Sequence, residues 1–397
     1  MDFRLDDDQL QLRDALRNFC DKEIAPGAEA REHAGRFEDG LVQQVAGMGL
    51  FGLYVPTEYG GAGLDVVSYV MAVEELSRAC ASTGILMSAH HSLCVDPILT
   101  FGTPEQKQKY LPRLASGEWI GCFSLTEPGS GSDAGAARCT AVEHSDGWHV
   151  NGTKCFVTNG LEAQAIILFA VTDGGQLGAA EARPSAAQKK KLSAFIVDKG
   201  SPGLRIGKVE KKMGLKASST AELVFEDCLV PKDNLLGERG RGLKVALTTL
   251  NGGRLGVAAQ AVGISQAALD AAVAYARTRR QFDQPIANFQ AIQWKLADMQ
   301  TQIQAARLLT YRGAWLKQGK RPFEAEASMA KLLASEVSSR VTNMAIQVFG
   351  GYGYIADYPV ERYLRDAKVT ELYEGTSEIQ RLVIARKLVS EPECVAR

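Results

Sequence analysis

The sequence lacks the cysteine patterns that mark disulfide-stapled domains. Its 397 residues include eight cysteines, none of which forms a Cys-x-x-Cys pair, and they are scattered through apolar stretches. Single buried cysteines are typical of a reduced, cytosolic-type compartment. We therefore expect no disulfide framework and a fold that depends on its apolar core.

The sequence also lacks an excess of charge of either sign and any long apolar run. The formal net charge is -1, and the only dense basic run is Lys189–Lys191, which is typical of a solvated loop, so we expect no nucleic-acid partner. No apolar run approaches the roughly 20 residues of a membrane span. The N-terminus, MDFRLDDDQLQLRD, is acidic where a targeting peptide would be basic. We expect an intracellular protein with no membrane partner, either bacterial and cytoplasmic or a mature organellar-matrix form.

The chain is too long for one ordinary core, and its residue patterns divide it into three regions. Residues 1–120 carry helical periodicity, 121–233 carry short β-prone runs between glycine and proline signals, and 234–397 carry long helical patterns. A stretch without periodicity, 176–191, predicts a surface excursion. Long helices with short connections predict a bundle. The expected fold is mainly α with a central β domain.

Three glycine-rich stretches imitate a dinucleotide-binding fingerprint, at 47–52, 129–134 and 351–356. That fingerprint requires a preceding strand and a following helix, and none of the three has both, so a Rossmann domain is not expected. The loop LTEPGSGSDAG (125–135) could still turn N–H groups and hydroxyls toward an anion or a polar ring edge. Composition alone favours a plain connection between the two domains, and the sequence leaves both interpretations open.

Six segments together resemble the acyl-CoA dehydrogenase family over nearly the whole chain. In order they are FSLTEPGSGSDAG, KCFVTNG, GRLGVAAQAVG, RRQFDQPIANFQAIQWKLADM, QVFGGYGYIADYPVERYLRDAK and LYEGTSEIQRLVIAR. The likeness is greatest to short-chain and short-branched-chain members. It implies an N-terminal helical domain, a middle β-sandwich or barrel and a C-terminal four-helix bundle, with bound FAD and a homotetramer.

The resemblance assigns roles to individual residues. Glu374 stands where the family carries its catalytic base, and Thr158 matches the hydroxyl beside the flavin N5. Arg279 and Gln290 match residues that contact the FAD of a neighbouring subunit. The other implied FAD contacts are Phe123, Leu125, Thr126, Gly131, Ser132, Phe156, Val157, Phe282, Gln347, Gly350, Gly351, Thr376 and Glu378. The implied substrate contacts are Ser132, Asn251, Gly252, Gly253, Arg254 and Gly375.

Glu374 lies in ELYEGTSEIQR (371–381), at a break in a helical C-terminus. The α-proton of an acyl thioester is weakly acidic, so its removal needs hydrogen bonds to the carbonyl and a base whose pKa burial has raised. Ser377 and Gln380 predict a capping box that opens the last helix. That helix end would lower the pKa of Glu374 while burial raises it, and the sequence leaves the balance open. Taken alone, this segment also fits a surface glutamate near a helix end.

Neighbouring positions bear on that assignment. Some family members place the base on a bundle helix, where this sequence has Gly253, and no acid lies between 238 and 270. Arg254 fits either a cation that positions substrate or a loop, or a helix-surface ion pair. The pair His90–His91 has no accompanying cluster of carboxylates or cysteines, so we expect a structural role and no metal site. Phe156 replaces a frequent tryptophan, and Asp283 stands where glycine is common.

The resemblance implies FAD-dependent α,β-dehydrogenation of a short-chain acyl-CoA to the trans-2-enoyl-CoA. Glu374 would accept the α-proton and flavin N5 the hydride. The sequence has no haem or iron–sulfur signature, so the electrons must pass to another protein. The resemblance implies that this acceptor is electron-transferring flavoprotein. We expect acyl chains of four or five carbons, with the pocket wall at 85–100 and 246–254. The alternatives are an acyl-CoA oxidase, another flavoenzyme on this scaffold, and a non-catalytic flavin- or CoA-ester-binding protein.

Overall fold

The computed structural model describes residues 4–173 and 191–390. Most of the predicted excursion at 176–191, and two lysines of the basic run, lie outside the described residues. The first of the three regions, residues 4–120 in the structure, is helical, as predicted. Its helices are α1 (Asp7–Phe19), α2 (Ala28–Ala34), α3 (Leu41–Gly47), α4 (Val66–Ala79), α5 (Ala81–Ala89), α6 (Asp96–Phe101) and α7 (Pro104–Ala115).

Local sequence explains where these helices begin. Asp6 caps α1, where its side chain accepts from the Gln9 N–H at 2.8 Å and the Gln9 side chain bonds back to the Asp6 N–H. Thr103 and Gln106 form the same box before α7. The α1 helix ends at Phe19, and the chain continues as a π turn, Cys20–Ile24.

The middle region is a twisted sheet of eight strands. They are β1 (Gly121–Ser124), β2 (Thr140–Glu143), β3 (Trp148–Thr158), β4 (Ala165–Asp173), β5 (Lys191–Asp198), β6 (Leu204–Val209), β7 (Thr220–Val230) and β8 (Leu235–Leu236). The order is β6-β7-β3-β2-β4-β5-β8, and β1 pairs in parallel with the first half of β4. One face buries an aromatic core that includes Trp148, Phe195 and Phe225, while the other packs on α7 and the π turn His90–Val95.

The C-terminal region is a helical bundle. The long helix α8 (Gly242–Thr278) has 37 residues and packs on α4, α9 (Gln290–Gln318) and α10 (Glu324–Phe349). A short hairpin, β9 (Arg280–Gln281) and β10 (Gln284–Pro285), joins α8 to α9. Two further helices close the chain, α11 (Val360–Lys368) and α12 (Ser377–Ser390).

Length and composition make α8 the one described helix that could cross a membrane, but 72% of its apolar window is buried inside the fold. Its glycines explain how it packs so closely. A Cβ at position 263 would lie 2.3 Å from the Glu74 carbonyl oxygen, and one at 256 would lie 2.2 Å from Ser88 Oγ. The helix is therefore the central core helix of this protein.

A small apolar cluster lies where the three regions meet. Ile85, Ala89 and Leu93 contribute one face of the first region, Ile264 comes from α8, and Leu215 comes from the β region. Phe123, Leu250 and Tyr373 pack against it. We call this set the junction cluster. It places the candidate site between all three regions, whose boundaries at 120/121 and 233/234 stay a prediction.

Candidate active site

Glu374 lies in a tight turn between a 3-10 turn, Val369–Glu371, and α12. The backbone φ of Glu374 is +54° and that of Gly375 is +95°, so two consecutive residues adopt the left-handed region. A non-glycine residue pays a steric cost there, and such outliers cluster at functional sites. The turn is thus a strained segment that its surroundings must hold in place.

The predicted capping box at the start of α12 is wrong. Thr376, not Ser377, takes the capping position, since its Oγ1 accepts from the Ile379 N–H at 3.4 Å. The Ser377 hydroxyl is buried without a hydrogen-bond partner among the described residues. The Gln380 amide donates instead to the carbonyl oxygens of Glu374 and Gly375, at 3.1 and 2.9 Å. Thr376 therefore caps α12 one residue before the predicted position, and the Gln380 side chain bonds the strained turn instead.

Glu374 is half-buried, and its Oε2 atom is buried without a hydrogen-bond partner among the described residues. Burial raises the pKa of Glu374 to about 8, while the positive charges of Lys331 and then Arg254 lower it. Burial therefore outweighs the neighbouring cations. A carboxylate held this way is a stronger base than one in water.

Gly253 of α8 lies directly against this carboxylate. A Cβ at position 253 would lie 2.1 Å from Glu374 Oε2 and 2.8 Å from Leu93 Cδ2. The alternative position for a base on the bundle helix is thus closed in this chain, because no side chain fits there beside Glu374. A Cβ at the neighbouring Gly252 would lie 2.7 Å from Lys317 Nζ, which is ion-paired with Asp96 at 3.0 Å.

Two buried cations flank the site. Arg254 is 4% exposed, and its guanidinium donates to Asn251 Oδ1 at 2.7 Å and to Ser328 Oγ at 3.1 Å, so it is not the helix-surface ion pair that we considered. Its Nε is buried without a partner among the described residues. Lys331 of α10 is fully buried and donates from Nζ to the Gly375 carbonyl oxygen at 2.7 Å. Sequence reasoning missed Lys331.

The two segments predicted to hold flavin adjoin each other along the β region. Thr126 accepts from the Cys155 N–H at 2.9 Å, which ties the first segment to the second. A buried ion pair, Lys154 Nζ to Glu127 Oε1 at 2.7 Å, fixes the same junction, and Lys154 also donates to the Leu125 carbonyl oxygen at 3.0 Å. Glu127 and Lys154 were missed from sequence, although each is a charged residue inside a segment we had quoted.

Phe156 projects from the sheet at an irregularity in β3. The register between β3 and β7 shifts between Lys154 and Val157, and Phe156 there has φ +56°. Its ring is 66% exposed while Val157 is buried. A bulge that turns an aromatic ring outward is a recurring feature beside functional sites. Within the same two segments, Leu125 is buried, Phe123, Thr126 and Thr158 are half-buried, and Gly131 and Ser132 are exposed.

A second group of predicted residues lines an open groove at the far end of α8. The groove holds about 640 Å³ and includes Arg279, Phe282, Gly350 and Gly351, with Gln290 and Gln347 next to lining residues. Phe282 and Asp283 both have positive φ at the hairpin tip, which explains why glycine suits position 283. Arg279 stacks over the Tyr352 ring at 5.4 Å, and no atom within 4 Å would contact a Cβ at Gly350 or Gly351.

The structure therefore divides the predicted residues into two places. Phe123 and Tyr373, the residue before Glu374, pack against the junction cluster, and Gly253 lies against Glu374. Thr376 and Glu378 flank the start of α12, where Glu378 is exposed. Arg279 follows the end of α8, about 25 residues beyond Arg254, which is roughly 37 Å of helix rise.

The histidine pair is buried inside the fold. Neither ring nitrogen of His91 has a hydrogen-bond partner among the described residues, while His90 Nδ1 accepts from the Gly121 N–H at 3.0 Å. Burial lowers the pKa of His90 to about 4, so its ring is neutral. Across residues 4–173 and 191–390, no group of three or more histidine, cysteine or acidic side chains could hold a metal ion.

Comparisons with known proteins agree with this geometry. Models of three domains of the acyl-CoA dehydrogenase family match the chain: the N-terminal domain at 6–118, the middle domain at 122–228 and the C-terminal domain at 240–389. The chain therefore belongs to the acyl-CoA dehydrogenase family, whose members are flavoprotein oxidoreductases.

Individual relatives cover nearly the whole chain. The mitochondrial short-chain specific acyl-CoA dehydrogenase of Mus musculus is 51% identical over 95% of this chain and 89% of that protein. Butyryl-CoA dehydrogenase from Megasphaera elsdenii has a TM-score of 0.93 and 45% identity over 98% of this chain and all of that one. A chain in a structure of the electron transferring flavoprotein of Acidaminococcus fermentans has a TM-score of 0.94 and 49% identity, with coverages of 98% and 100%. Other solved relatives are complexes with FADH2 or FAD.

Proposed function

We propose that this protein oxidises a short-chain acyl-CoA to the trans-2-enoyl-CoA, with Glu374 as the acceptor of the α-proton. One observation carries the proposal. Glu374 Oε2 is a buried carboxylate oxygen without a partner among the described residues, and burial raises its pKa to about 8. A buried polar atom without a partner is costly, so its retention points to a proton that arrives with the substrate.

The residues around Glu374 give it a defined task. Gly253 removes the side chain that would block the carboxylate, and Leu93 closes the space beside it. The ionised carboxylate takes the α-proton and becomes a neutral acid, the form that burial favours. A base whose pKa lies near the working pH is suited to such transfer. The strained turn keeps the carboxylate aimed at one point.

FAD is the cofactor that this site fits. The outward Phe156 ring offers a flat apolar surface, and the half-buried Thr158 offers a hydroxyl two residues later. The distant groove offers Arg279, whose guanidinium suits a diphosphate, and two glycines with open space above them. When bound, FAD supplies the acceptor for the β-hydrogen as a hydride.

The junction cluster is the proposed acyl site. Leu93 lies next to Glu374, and Ala89 and Ile85 follow at one-turn intervals on the same helical face. The Tyr373 ring packs against this face, and its hydroxyl donates to the buried Gln260. We propose that this ring, held by its hydrogen bond to Gln260, limits the acyl site beyond Glu374 to a short chain. We therefore propose Tyr373 and Gln260 as further members of the wall expected at 85–100 and 246–254.

The separation of the two predicted groups supports a homo-oligomer, which we propose to be a tetramer. Roughly 37 Å of α8 separates the catalytic end from the Arg279 groove, so the groove suits the cofactor of a neighbouring copy. Along α9, Trp294, Leu308 and Trp315 are 64%, 52% and 56% exposed, an apolar row that a second copy would cover. Arg279→Ala should then weaken FAD retention and assembly together. An unchanged oligomer with full flavin content would contradict this.

Electron-transferring flavoprotein is the proposed electron acceptor, and the intracellular location stays a proposal. The acceptor follows from the family resemblance, and one solved relative comes from a study of such a flavoprotein. An oxidase, which would pass electrons to oxygen, is the alternative on the same fold. A non-catalytic flavin or CoA-ester binder would not retain Glu374 against Gly253.

Anaerobic mixing of the flavin-loaded protein with butyryl-, hexanoyl-, octanoyl-, dodecanoyl-, isobutyryl- and 2-methylbutyryl-CoA tests the proposal. We expect bleaching of the flavin absorbance, fastest with four or five acyl carbons, and restoration of colour by electron-transferring flavoprotein more than by air. Affinity should rise by up to about 0.8 kcal/mol per methylene until the wall is met. No bleaching with any thioester would overturn the function. An optimum at eight carbons or more would overturn only the short pocket.

A further inference from the structure

Lys331 is a buried lysine that the proposed chemistry does not yet use. It lies within α10, is fully buried, and donates from Nζ to the Gly375 carbonyl oxygen at 2.7 Å. Among the described residues no carboxylate lies within ion-pair distance of it. Burying a lysine without a carboxylate partner is costly. Because the fold places this costly charge beside the turn at Glu374 and Gly375, we expect its function to lie there.

The Gly375 carbonyl is the point at which the strained turn is held. It accepts from Lys331 Nζ and from Gln380 Nε2, and the Gln380 amide reaches the Glu374 carbonyl as well. Glu374 itself has φ +54°, a conformation that a glutamate does not keep without support. Two side chains from α10 and α12 therefore supply the hydrogen bonds that hold the peptide next to the base.

Lys331 also faces the Glu374 carboxylate electrostatically. The groups that interact with Glu374 come from several elements: Lys331 from α10, Arg254 from α8, Tyr69 from α4, and the adjacent Tyr373. Of the two cations, the effect of Lys331 on Glu374 is the larger. Lys331 in turn faces Arg254, Glu371 and Glu378, and burial lowers its pKa to about 8.

We propose that Lys331 is the positioning residue of the catalytic base: it pins the Gly375 carbonyl to hold the turn, and its positive charge keeps Glu374 ionised at a lower pH than burial alone would allow. The proposal rests on the proposed role of Glu374. It separates two contributions, a hydrogen bond that fixes geometry and a charge that tunes basicity, and the two can be removed one at a time.

Three substitutions separate them. Lys331→Met removes the donor and the charge at similar length, Lys331→Gln keeps a donor without the charge, and Lys331→Arg keeps the charge. The matched control is Lys212→Met, because Lys212 also donates to a backbone carbonyl, that of Ser218 at 2.7 Å, away from Glu374. The measurement is the pH dependence of kcat/KM for anaerobic flavin bleaching by butyryl-CoA, with flavin content and oligomer size recorded for every variant.

The positive charge of Lys331 determines the direction in which the pH dependence of kcat/KM should shift. The base must be ionised, so kcat/KM rises with pH through the pKa of Glu374, and loss of the neighbouring cation moves that rise to higher pH. We expect Lys331→Met and Lys331→Gln to move the limb upward by up to about one pH unit, with the larger loss of rate in Lys331→Met. Burial lowers the pKa of Lys331 to about 8, so Lys331 is partly neutral along this limb, whereas an arginine stays charged. Lys331→Arg should therefore not move the limb upward. Lys212→Met should keep the wild-type profile.

A loss of rate equal at all pH values, with the limb unmoved, would show a merely structural lysine and overturn the proposal. Infrared titration of the protonated carboxyl band, with Glu374→Gln subtracted, gives the same answer without turnover: the band should persist to higher pH in Lys331→Gln. If Glu374→Gln still reduces flavin at the wild-type rate, the proposed function fails first. If it is inactive and the Lys331 limb does not move, only this inference fails. Should Lys331→Met not fold, Lys331→Gln and Lys331→Arg decide the matter alone.

Discussion

Asp366 and Glu374 are two acids eight residues apart whose pKa values are both raised, but they differ in how the fold uses their oxygens. Asp366 accepts from the Leu215 N–H at 2.6 Å, and a Cβ at Gly214 would lie 2.5 Å from the Arg365 backbone, so the loop of the β region is docked tightly on α11. Glu374 Oε2 faces Gly253 and has no partner among the described residues. Burial raises the pKa of Asp366 to about 7 and that of Glu374 to about 8.

The difference teaches which feature identifies the reactive group. A raised pKa alone does not, because both acids show it for the same reason. What separates them is the hydrogen-bond inventory: the oxygen of Asp366 is used to join two regions, whereas the oxygen of Glu374 is kept open at a strained turn. Structural acids are satisfied by the protein, and a base must be left for its substrate.

The largest expected effect separates the two acids by rate. Glu374→Gln should lower the rate of anaerobic flavin bleaching by roughly 100- to 10,000-fold, because positioned proton transfer is lost, while acyl-CoA and FAD binding stay nearly intact. Asp366→Asn, the matched change at the satisfied acid, should stay within about threefold of wild type. Stopped-flow mixing with butyryl-CoA measures both. Equal losses in the two variants would remove the distinction.

Displacing the base without changing it should cost somewhat less. A Cβ in Gly253→Ala would lie 2.1 Å from Glu374 Oε2, so the carboxylate must move, and misplacement by about 1 Å costs on the order of 100-fold. Alanine favours the helix, so thermal stability should not fall for reasons of propensity. Gly47→Ala is the control, because no atom lies within 4 Å of its added Cβ. A fully active Gly253→Ala would show that Glu374 does not need its present place.

The smallest effect concerns stability at Asp366. Its folded pKa, about 7, is raised above the ordinary value of 3.8, so the folded state binds the proton more tightly and loses stability as pH rises from about 4 to about 7. Asp366→Asn removes that loss and keeps an acceptor for Leu215. Its Tm should therefore exceed that of wild type by about 2 °C at pH 8, with a smaller difference at pH 5, by calorimetry. A Tm gain in Asp366→Asn that is larger at pH 5 than at pH 8 would contradict a raised pKa of Asp366 in the folded state.

Much of this molecule follows from its sequence, and the remainder has physical reasons. Periodicity predicted the order of helices, sheet and bundle, because core-facing positions repeat at the interval of each element. Lys331 could not be found that way, since a lysine in a regular helix looks solvated until its partner, a distant carbonyl, is known. The cap was assigned one residue too late because Thr376 and Ser377 are both good caps, and only the turn's geometry chooses between them.

The pH dependence of flavin bleaching in wild type and Asp366→Asn tests the central claim, that the unpartnered acid is the base. Since the base must be ionised, kcat/KM for butyryl-CoA should rise with pH to a plateau, with a midpoint near 8, the raised pKa of Glu374. Because Asp366 takes no part, the midpoint should be the same in both proteins. A midpoint near 7 that disappears in Asp366→Asn, or a rate independent of pH between 6 and 9, would contradict the assignment of Glu374.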